Sequence, residues 1–365
     1  MTSSADRVTI VGTGLIGTSI GLAAARVGCA VTGWDADPEI AGRSAELGGF
    51  GLAPTLEEAV RDADIVVVAT PIPTIAGLVT RVLEAASAAV VTDVGSVKSN
   101  VVAEVLAAAG EDEARRFVPG HPMGGSERSG PEHASASVVD GIVWVVTPPP
   151  AADPASVERL EAWIERIGAR VVRMEPARHD RLVAFVSHLP QAASTALMDV
   201  AATEEADEPE ILLLAAGGFR DLTRLASSNP ALWSDILLSN RRAIAEAIEI
   251  YARHLEALRL QILEGDGRGV ETTFQRAKSA RLRLAAKPTV RAGVAVLQVP
   301  VPDRPGSLAA LTVALGEGGV NIEDLQIVHS PEGGRGTVHL TVAADAADAA
   351  ASVLAANDFD PTRLA

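Results

Sequence analysis

The run Arg7-Val8-Thr9-Ile10-Val11-Gly12-Thr13-Gly14-Leu15-Ile16-Gly17 places a G-x-G-x-x-G pattern at the end of a short apolar stretch. No other feature constrains the fold as much, because the spacing demands a strand that turns sharply into a helix. Gly12 permits the turn, Gly14 lets the backbone approach a pyrophosphate, and Gly17 lets helix and strand pack closely. Dinucleotide phosphates would then lie at the positive end of the helix that Leu15 and Ile16 begin. Glycines so spaced can also punctuate an ordinary turn. Here an Ala-rich helical run over 19–27 and a second strand over 30–34 follow, which is the context of a dinucleotide-binding unit.

Asp35 closes the second strand about twenty residues past the glycines, where an acidic side chain can accept hydrogen bonds from the adenosine ribose. The same charge would repel a 2'-phosphate, so NAD is expected rather than NADP unless a basic group such as Arg43 folds back toward the site. The plainer alternative is that Asp35 and Asp37 solvate a turn ahead of Pro38. Thr70 and Pro71, just past the third strand, are assigned to the cofactor site with these residues.

Strands over 8–11, 30–34, 65–69 and 89–92 alternate with helices, which predicts an α/β domain with a doubly wound parallel sheet of Rossmann type. Strands over 140–147 and 170–174, separated by a helix over 155–167, continue it. From 177 the character changes: 178–202, 208–215, 220–226, 230–263 and 270–284 have helical spacing, giving an all-helical middle domain whose long apolar faces suit a second subunit. After Lys287-Pro288 a strand over 292–301, a helix over 306–316, strands over 321–329 and 336–342, a helix over 346–356 and a strand near 359–364 give a β-α-β-β-α-β order. The expected division is 1–176, 177–288 and 289–365.

With 365 residues, 48% of them hydrophobic, the chain has material for two or three domains. A formal net charge of −16 argues against a general nucleic-acid binder, which needs clustered Lys and Arg. A small anionic substrate remains compatible if arginines gather locally. Cys29 is the only cysteine, so neither an internal disulfide nor a cysteine metal cluster can form; no metal is expected and the cytoplasm is the natural setting. No uncharged stretch is long enough to span a bilayer.

The chemistry is expected at the carboxyl edge of the sheet. There Thr92-Asp93-Val94-Gly95-Ser96-Val97-Lys98 offers Ser96 to a nicotinamide or a substrate, and Pro119-Gly120-His121-Pro122-Met123-Gly124-Gly125-Ser126 holds His121 in a loop shaped by Gly and Pro. From spacing alone His121 is either a catalyst or a structural hydrogen bonder. Ser187-His188 precedes Pro190 in a helical run, so a kink could turn Ser187 toward the cofactor domain.

Taken together, the motifs at 12–17, 93–98 and 120–125, Ser187-His188-Leu189-Pro190, and Gly218-Phe219-Arg220-Asp221-Leu222-Thr223-Arg224 resemble the prephenate dehydrogenase family over nearly the whole chain. The C-terminal segment resembles an ACT domain, a ferredoxin-like α+β module that senses amino acids. The resemblance implies NAD-linked oxidative decarboxylation on the way to tyrosine. His121 would accept the proton of the substrate's ring hydroxyl, with Ser96 orienting or relaying, while hydride leaves carbon for the nicotinamide. Arg224 is the first candidate to clamp a substrate carboxylate and Arg220 the second, and Ser187, His188 and Gln191 are assigned to the substrate site with them.

Family members often carry a second histidine just after the proline, whereas this chain has Gln191, which hydrogen-bonds but does not titrate. Prephenate and arogenate therefore both stand as substrates. For the ACT-like segment, Pro305, Gly306 and Asn321 are the candidate effector contacts, with tyrosine as effector and dimerisation alone as the alternative role. A homodimer is implied. Two competitors are a 3-hydroxyacid dehydrogenase, which needs a lysine that is missing between Lys98 and Lys278, and a noncatalytic sensor of dinucleotide and amino acid.

Overall fold

The computed structural model describes residues 6–48, 50–124, 130–285, 294–302, 304–329 and 335–364. Gly125, Ser126, Lys287, Pro288 and Asp303, named in the motifs above, lie outside them. The chain forms two compact units, Met1–Ala257 and Leu258–Ala365.

The first unit opens with β1 (Arg7–Val11), α1 (Leu15–Arg26), β2 (Ala30–Trp34), α2 (Pro38–Glu46), β3 (Gly51–Leu52), α3 (Leu56–Val60), β4 (Ile65–Val68), α4 (Ile72–Ala85) and β5 (Val90–Asp93). These strands make one parallel sheet in the order β3-β2-β1-β4-β5. Strand β4 shows why its sequence is apolar without alternation: Ile65 and Val67 enter a core on one face, Val66 and Val68 a separate core on the other. Both faces are covered, so every position is buried.

Next come α5 (Ser99–Ala108), α6 (Glu111–Ala114), β6 (Gly120–Pro122), β7 (Val143–Val146), α7 (Pro154–Arg166) and β8 (Arg170–Arg173). The two strands expected to continue the parallel sheet instead form a separate three-stranded sheet, β6-β7-β8, in which β6 runs antiparallel to β7. His121 is therefore on a short strand opposite Val145, not in a loop. Pro122 is tolerated there because β6 is an edge of its sheet. Three residues between Gly and Pro are too few for a strand pattern to be read in sequence.

The helical region comprises α8 (Pro176–Val183), a π-helical turn (Ala184–His188), α9 (Leu189–Glu204), α10 (Glu210–Leu213), α11 (Gly217–Thr223), a 3-10 turn (Arg224–Ser227), α12 (Pro230–Ser239) and α13 (Arg241–Leu263). Val183, Ala184, His188 and Leu189 all keep right-handed helical dihedrals, so α8, the π turn and α9 run on as one helical stretch, and the irregularity expected at Pro190 takes the form of the π turn just before it. One expectation is corrected. The single helix expected over 230–263 is broken at Asn240, whose buried side chain bonds to other elements.

The second unit contains α14 (Gly267–Ala285), β9 (Val294–Pro302), α15 (Ser307–Glu317), β10 (Asp324–His329), β11 (Arg335–Ala343), α16 (Ala347–Ala356) and β12 (Thr362–Leu364). Its sheet is antiparallel in the order β10-β11-β9-β12, the ferredoxin-like arrangement of a β-α-β-β-α-β chain. Leu297, Val299 and Val301 of β9 alternate into a core with Val338, Leu340 and Val342 of β11, under Leu311, Leu315 and Leu354 of the two helices. Among the described residues no helix is long and apolar enough to cross a membrane.

Candidate active site

The glycine-rich turn joins β1 to α1 with each glycine in a distinct role. Gly12 has φ +93°, and a Cβ there would meet the Ala69 carbonyl oxygen at 2.6 Å. At Gly17 a Cβ would stand 1.9 Å from the Gly12 carbonyl oxygen, so only hydrogen fits. Gly14 faces open space, with no atom within 4 Å of an added Cβ. It is the cap residue of α1, so that space lies at the positive end of the helix. Leu15 is buried and Ile16 half-buried in the first turn.

Asp35, just past β2, accepts from the Thr13 amide at 2.7 Å and, through its other oxygen, from the Asp37 amide at 3.0 Å. Its carboxylate thus shapes the glycine turn and stays half-exposed. Arg43 does not fold back to it but pairs with Glu132. Thr70 and Pro71 sit between β4 and α4, Thr70 against Gly12 and hydrogen-bonded to Thr74. An open glycine at a helix start, flanked by crowded glycines and an acid at the end of the next strand, fits a dinucleotide.

These contacts separate folding from binding. Gly17→Ala is expected to cost about 3 kcal/mol, the upper range for overpacking, because the Gly12 backbone must move. Gly14→Ala should melt like the parent yet bind dinucleotide much more weakly. Denaturant melts and a dinucleotide titration check this; equal melting midpoints for the two variants would contradict it.

Strand β6 is tied to the end of β5 by a buried ion pair. Lys98 and Asp93 are both fully buried and in direct contact; Lys98 Nζ also donates to the Gly120 carbonyl at 2.7 Å. Burial works against the ammonium, and these two acceptors hold it. His121, the next residue, is half-buried, and its Nδ1 lies 2.8 Å from His179 Nε2. The far side of His179 meets Asp180, with Nδ1 2.9 Å from Oδ1. Asp180 accepts the Lys98 and Ser99 amides, each at 2.8 Å, at the start of α5.

Burial first, then the basic neighbours His179, Lys98 and His188, hold the His121 imidazole well below its ordinary value. It is neutral at physiological pH and can accept a proton. Ser96 stands half-buried on the turn between β5 and α5 that Asp93 and Lys98 brace. His188, expected near substrate, is buried with Nδ1 3.2 Å from Asn240 Nδ2 and its ring edge-on to Trp233. Burial drives it down to about 4 against the pull of Asp180.

Gln191 is also buried; its carboxamide nitrogen donates to the Leu225 carbonyl at 2.7 Å and its oxygen accepts from Ser228 at 3.4 Å. It is thus engaged within the fold, bracing the turn that begins with Arg224. Arg220 and Arg224 are exposed at α11 and its end, and Ser187 is half-buried in the π turn. Sequence reasoning missed His179, Asp180 and Asn240. The adjacent His-Asp pair opening the helical region was the available signal, but nothing local relates it to His121, 58 residues earlier.

In the second unit Pro305 and Gly306 line a cavity of about 400 Å³ with Val301, Arg304, Ile327 and Val338. Asn321 is exposed and donates to Glu323 at 3.0 Å; it does not line that cavity.

Comparison with known proteins agrees with this fold. Residues 20–173 match the family model described as prephenate dehydrogenase, nucleotide-binding domain, and residues 175–276 the one described as prephenate dehydrogenase, dimerization domain. A prephenate dehydrogenase of Bacillus subtilis is 31% identical over 94% of each chain. The crystal structure of prephenate dehydrogenase from A. aeolicus with hydroxyphenyl propionate and NAD+ superposes at a TM-score of 0.72, with 29% identity, covering 78% of this chain and 100% of that one. Synechocystis arogenate dehydrogenase superposes at 0.68, with 28% identity over 76% and 99%. With both models matching in sequence order and a full-length relative above 30% identity, the chain belongs to the prephenate dehydrogenase family.

Proposed function

We propose that this chain catalyses the NAD-dependent oxidative decarboxylation of prephenate to 4-hydroxyphenylpyruvate in tyrosine biosynthesis. The observation that carries the reading is a neutral His121 locked by the Lys98–Asp93 pair to the end of a sheet that carries a dinucleotide cradle. Gly12, Gly14, Leu15, Ile16, Gly17, Asp35, Thr70 and Pro71 hold NAD, whose chemistry when bound is acceptance of a hydride. His121 takes the ring hydroxyl's proton, and Ser96 orients that hydroxyl. Loss of the ring carboxylate as carbon dioxide makes the ring aromatic and drives the reaction forward. Arg224 clamps a substrate carboxylate, Arg220 assists, and His188 and Gln191 shape the pocket near Ser187.

We divide the chain into an NAD-binding domain (residues 1–176), a helical substrate and dimerisation domain (residues 177–288) and a regulatory domain (residues 289–365). The helical domain exposes Leu213, Leu214 and Leu238, apolar surface of the kind a homodimer covers. The ferredoxin-like unit is read as an ACT domain that binds tyrosine at Pro305 and Gly306, with Asn321 reaching the effector across a paired ACT domain. A reducing cytoplasm suits the single buried Cys29.

Arogenate is the second reading, favoured by the likeness to a structure of that name. The test is absorbance at the NADH band with prephenate and arogenate, each with NAD and NADP. Reduction of NAD by prephenate, with little use of NADP, is the expected result. Equal efficiency with both cofactors would remove Asp35 from its role, turnover of arogenate alone would select the second reading, and no turnover of either would overturn both.

A further inference from the structure

We infer that His179 and Asp180 form a relay behind His121 that fixes which ring nitrogen faces the substrate and carries away the charge His121 acquires. The inference rests on the reading of His121 as the group that accepts the substrate proton. Its ground is the count of hydrogen-bond donors and acceptors. The Asp180 carboxylate only accepts, so His179 Nδ1, 2.9 Å away, carries a hydrogen. A neutral His179 then has a bare lone pair on Nε2. That atom lies 2.8 Å from His121 Nδ1, which must supply the hydrogen between them. In neutral His121 the remaining lone pair is on Nε2, free for a hydroxyl hydrogen.

Asp180 is built to stay ionised. Burial alone would raise its carboxyl, but hydrogen bonds from the His179 ring, from Ser99 and from the Lys98 amide outweigh it and hold the group below its ordinary value. Its two oxygens sit on the first amides of the ten-residue helix α5, the positive end. Among the described residues around His121, the Lys98 charge, paired with Asp93, and the His188 ring discourage a cation there. His179 has the Asp180 carboxylate in contact.

In the proton step the substrate O–H bond breaks with its electron pair left on oxygen, and an N–H bond forms at His121 Nε2. His121 Nδ1–H passes to His179 Nε2. The imidazolium ends against Asp180; afterwards its Nε2 hydrogen returns to His121 Nδ1 as the hydrogen on His121 Nε2 leaves to water, which restores the starting tautomer. His179 and Asp180 touch no substrate; they position and discharge the residue that does. An imidazole held in one tautomer by a carboxylate is an established device in acyl transfer; here a second imidazole is inserted between them.

Nitrogen NMR of the full-length protein labelled at histidine tests the tautomer. With His121 assigned by comparison to His121→Asn, its neutral ring should carry hydrogen on Nδ1; hydrogen on Nε2 would overturn the relay. Kinetics test the discharge of the proton. His179→Gln can still accept the Nδ1 hydrogen but cannot carry a proton, so the tautomer should persist while kcat falls about 10–100-fold, below the range of about 10²–10⁴ for a whole general base. Substrate KM should change less than about threefold, against that same kcat loss.

In Asp180→Asn the ring pair loses its anion, so the acid limb of the kcat profile should move to lower pH. A merely structural role would lower kcat without moving that limb, and wild-type kcat in either variant would refute the relay. NAD titration checks folding of both, and if neither folds the wild-type tautomer still decides. Should the unaltered enzyme fail to oxidise prephenate, the proposed function fails while the NMR result stands on its own.

Discussion

His121→Asn should lower turnover by about two to four orders of magnitude while leaving NAD affinity nearly unchanged. Asparagine keeps a polar group of similar reach between β6 and His179, so the local geometry survives, but it cannot take a proton. The cofactor cradle lies on β1, α1, β2 and the turn after β4, and among the described residues it shares no hydrogen bond with His121. The pH profile carries the same signature. His121 is held well below 6.5, so the competent neutral form persists as pH falls from neutral through 6.5, and activity declines only on reaching the depressed value. An acid limb at or above 6.5 would mean that His121 is not the titrating base, and a variant retaining more than half of the parent turnover would return it to a structural role.

Lys98→Met should destabilise the first unit by about 3–5 kcal/mol, the cost of breaking a buried ion pair by removing one partner. Asp93 would remain fully buried with its charge uncompensated, keeping only the Gly95 amide at 2.9 Å and a long contact from the Gly120 amide at 3.4 Å. The Gly120 carbonyl would lose its donor, freeing β6 and with it His121. Turnover should therefore fall along with stability. Adding Asp93→Asn should restore much of the melting midpoint, since a neutral amide needs no counter-charge, without restoring turnover. An unfolding free energy for Lys98→Met within about 0.5 kcal/mol of the parent, the spread of ordinary surface changes, would show that the pair does not lock this corner.

What could be read from sequence followed from local spacing. The glycine pattern fixes a strand, a turn and a helix within eleven residues, and Gly12 and Gly17 meet the turn and packing constraints their positions implied. Apolar runs separated by helical stretches are enough for a parallel sheet, and the alternation in 294–302 and 335–343 is enough for an antiparallel one. His121 and Ser96 were legible because glycine and proline frame them at the ends of strands. Gln191 was legible as an unusual residue, though its burial against Leu225 was not.

By itself, then, the sequence determined the order of most elements, the glycine-rich turn from β1 into α1, and His121 as the candidate to accept a proton. Only tertiary structure decided its state. The surroundings of the His121 ring depend on His179, 58 residues away, and on Asp180, whose bonds to the start of α5 span 82 and 81 positions. The π turn and the break at Asn240 are likewise set by partners on other elements. Helix and strand periodicities are properties of neighbours along the chain. Hydrogen bonds that fix a tautomer, and burial that lowers an imidazole, arise when distant segments pack, and no spacing within one segment encodes them.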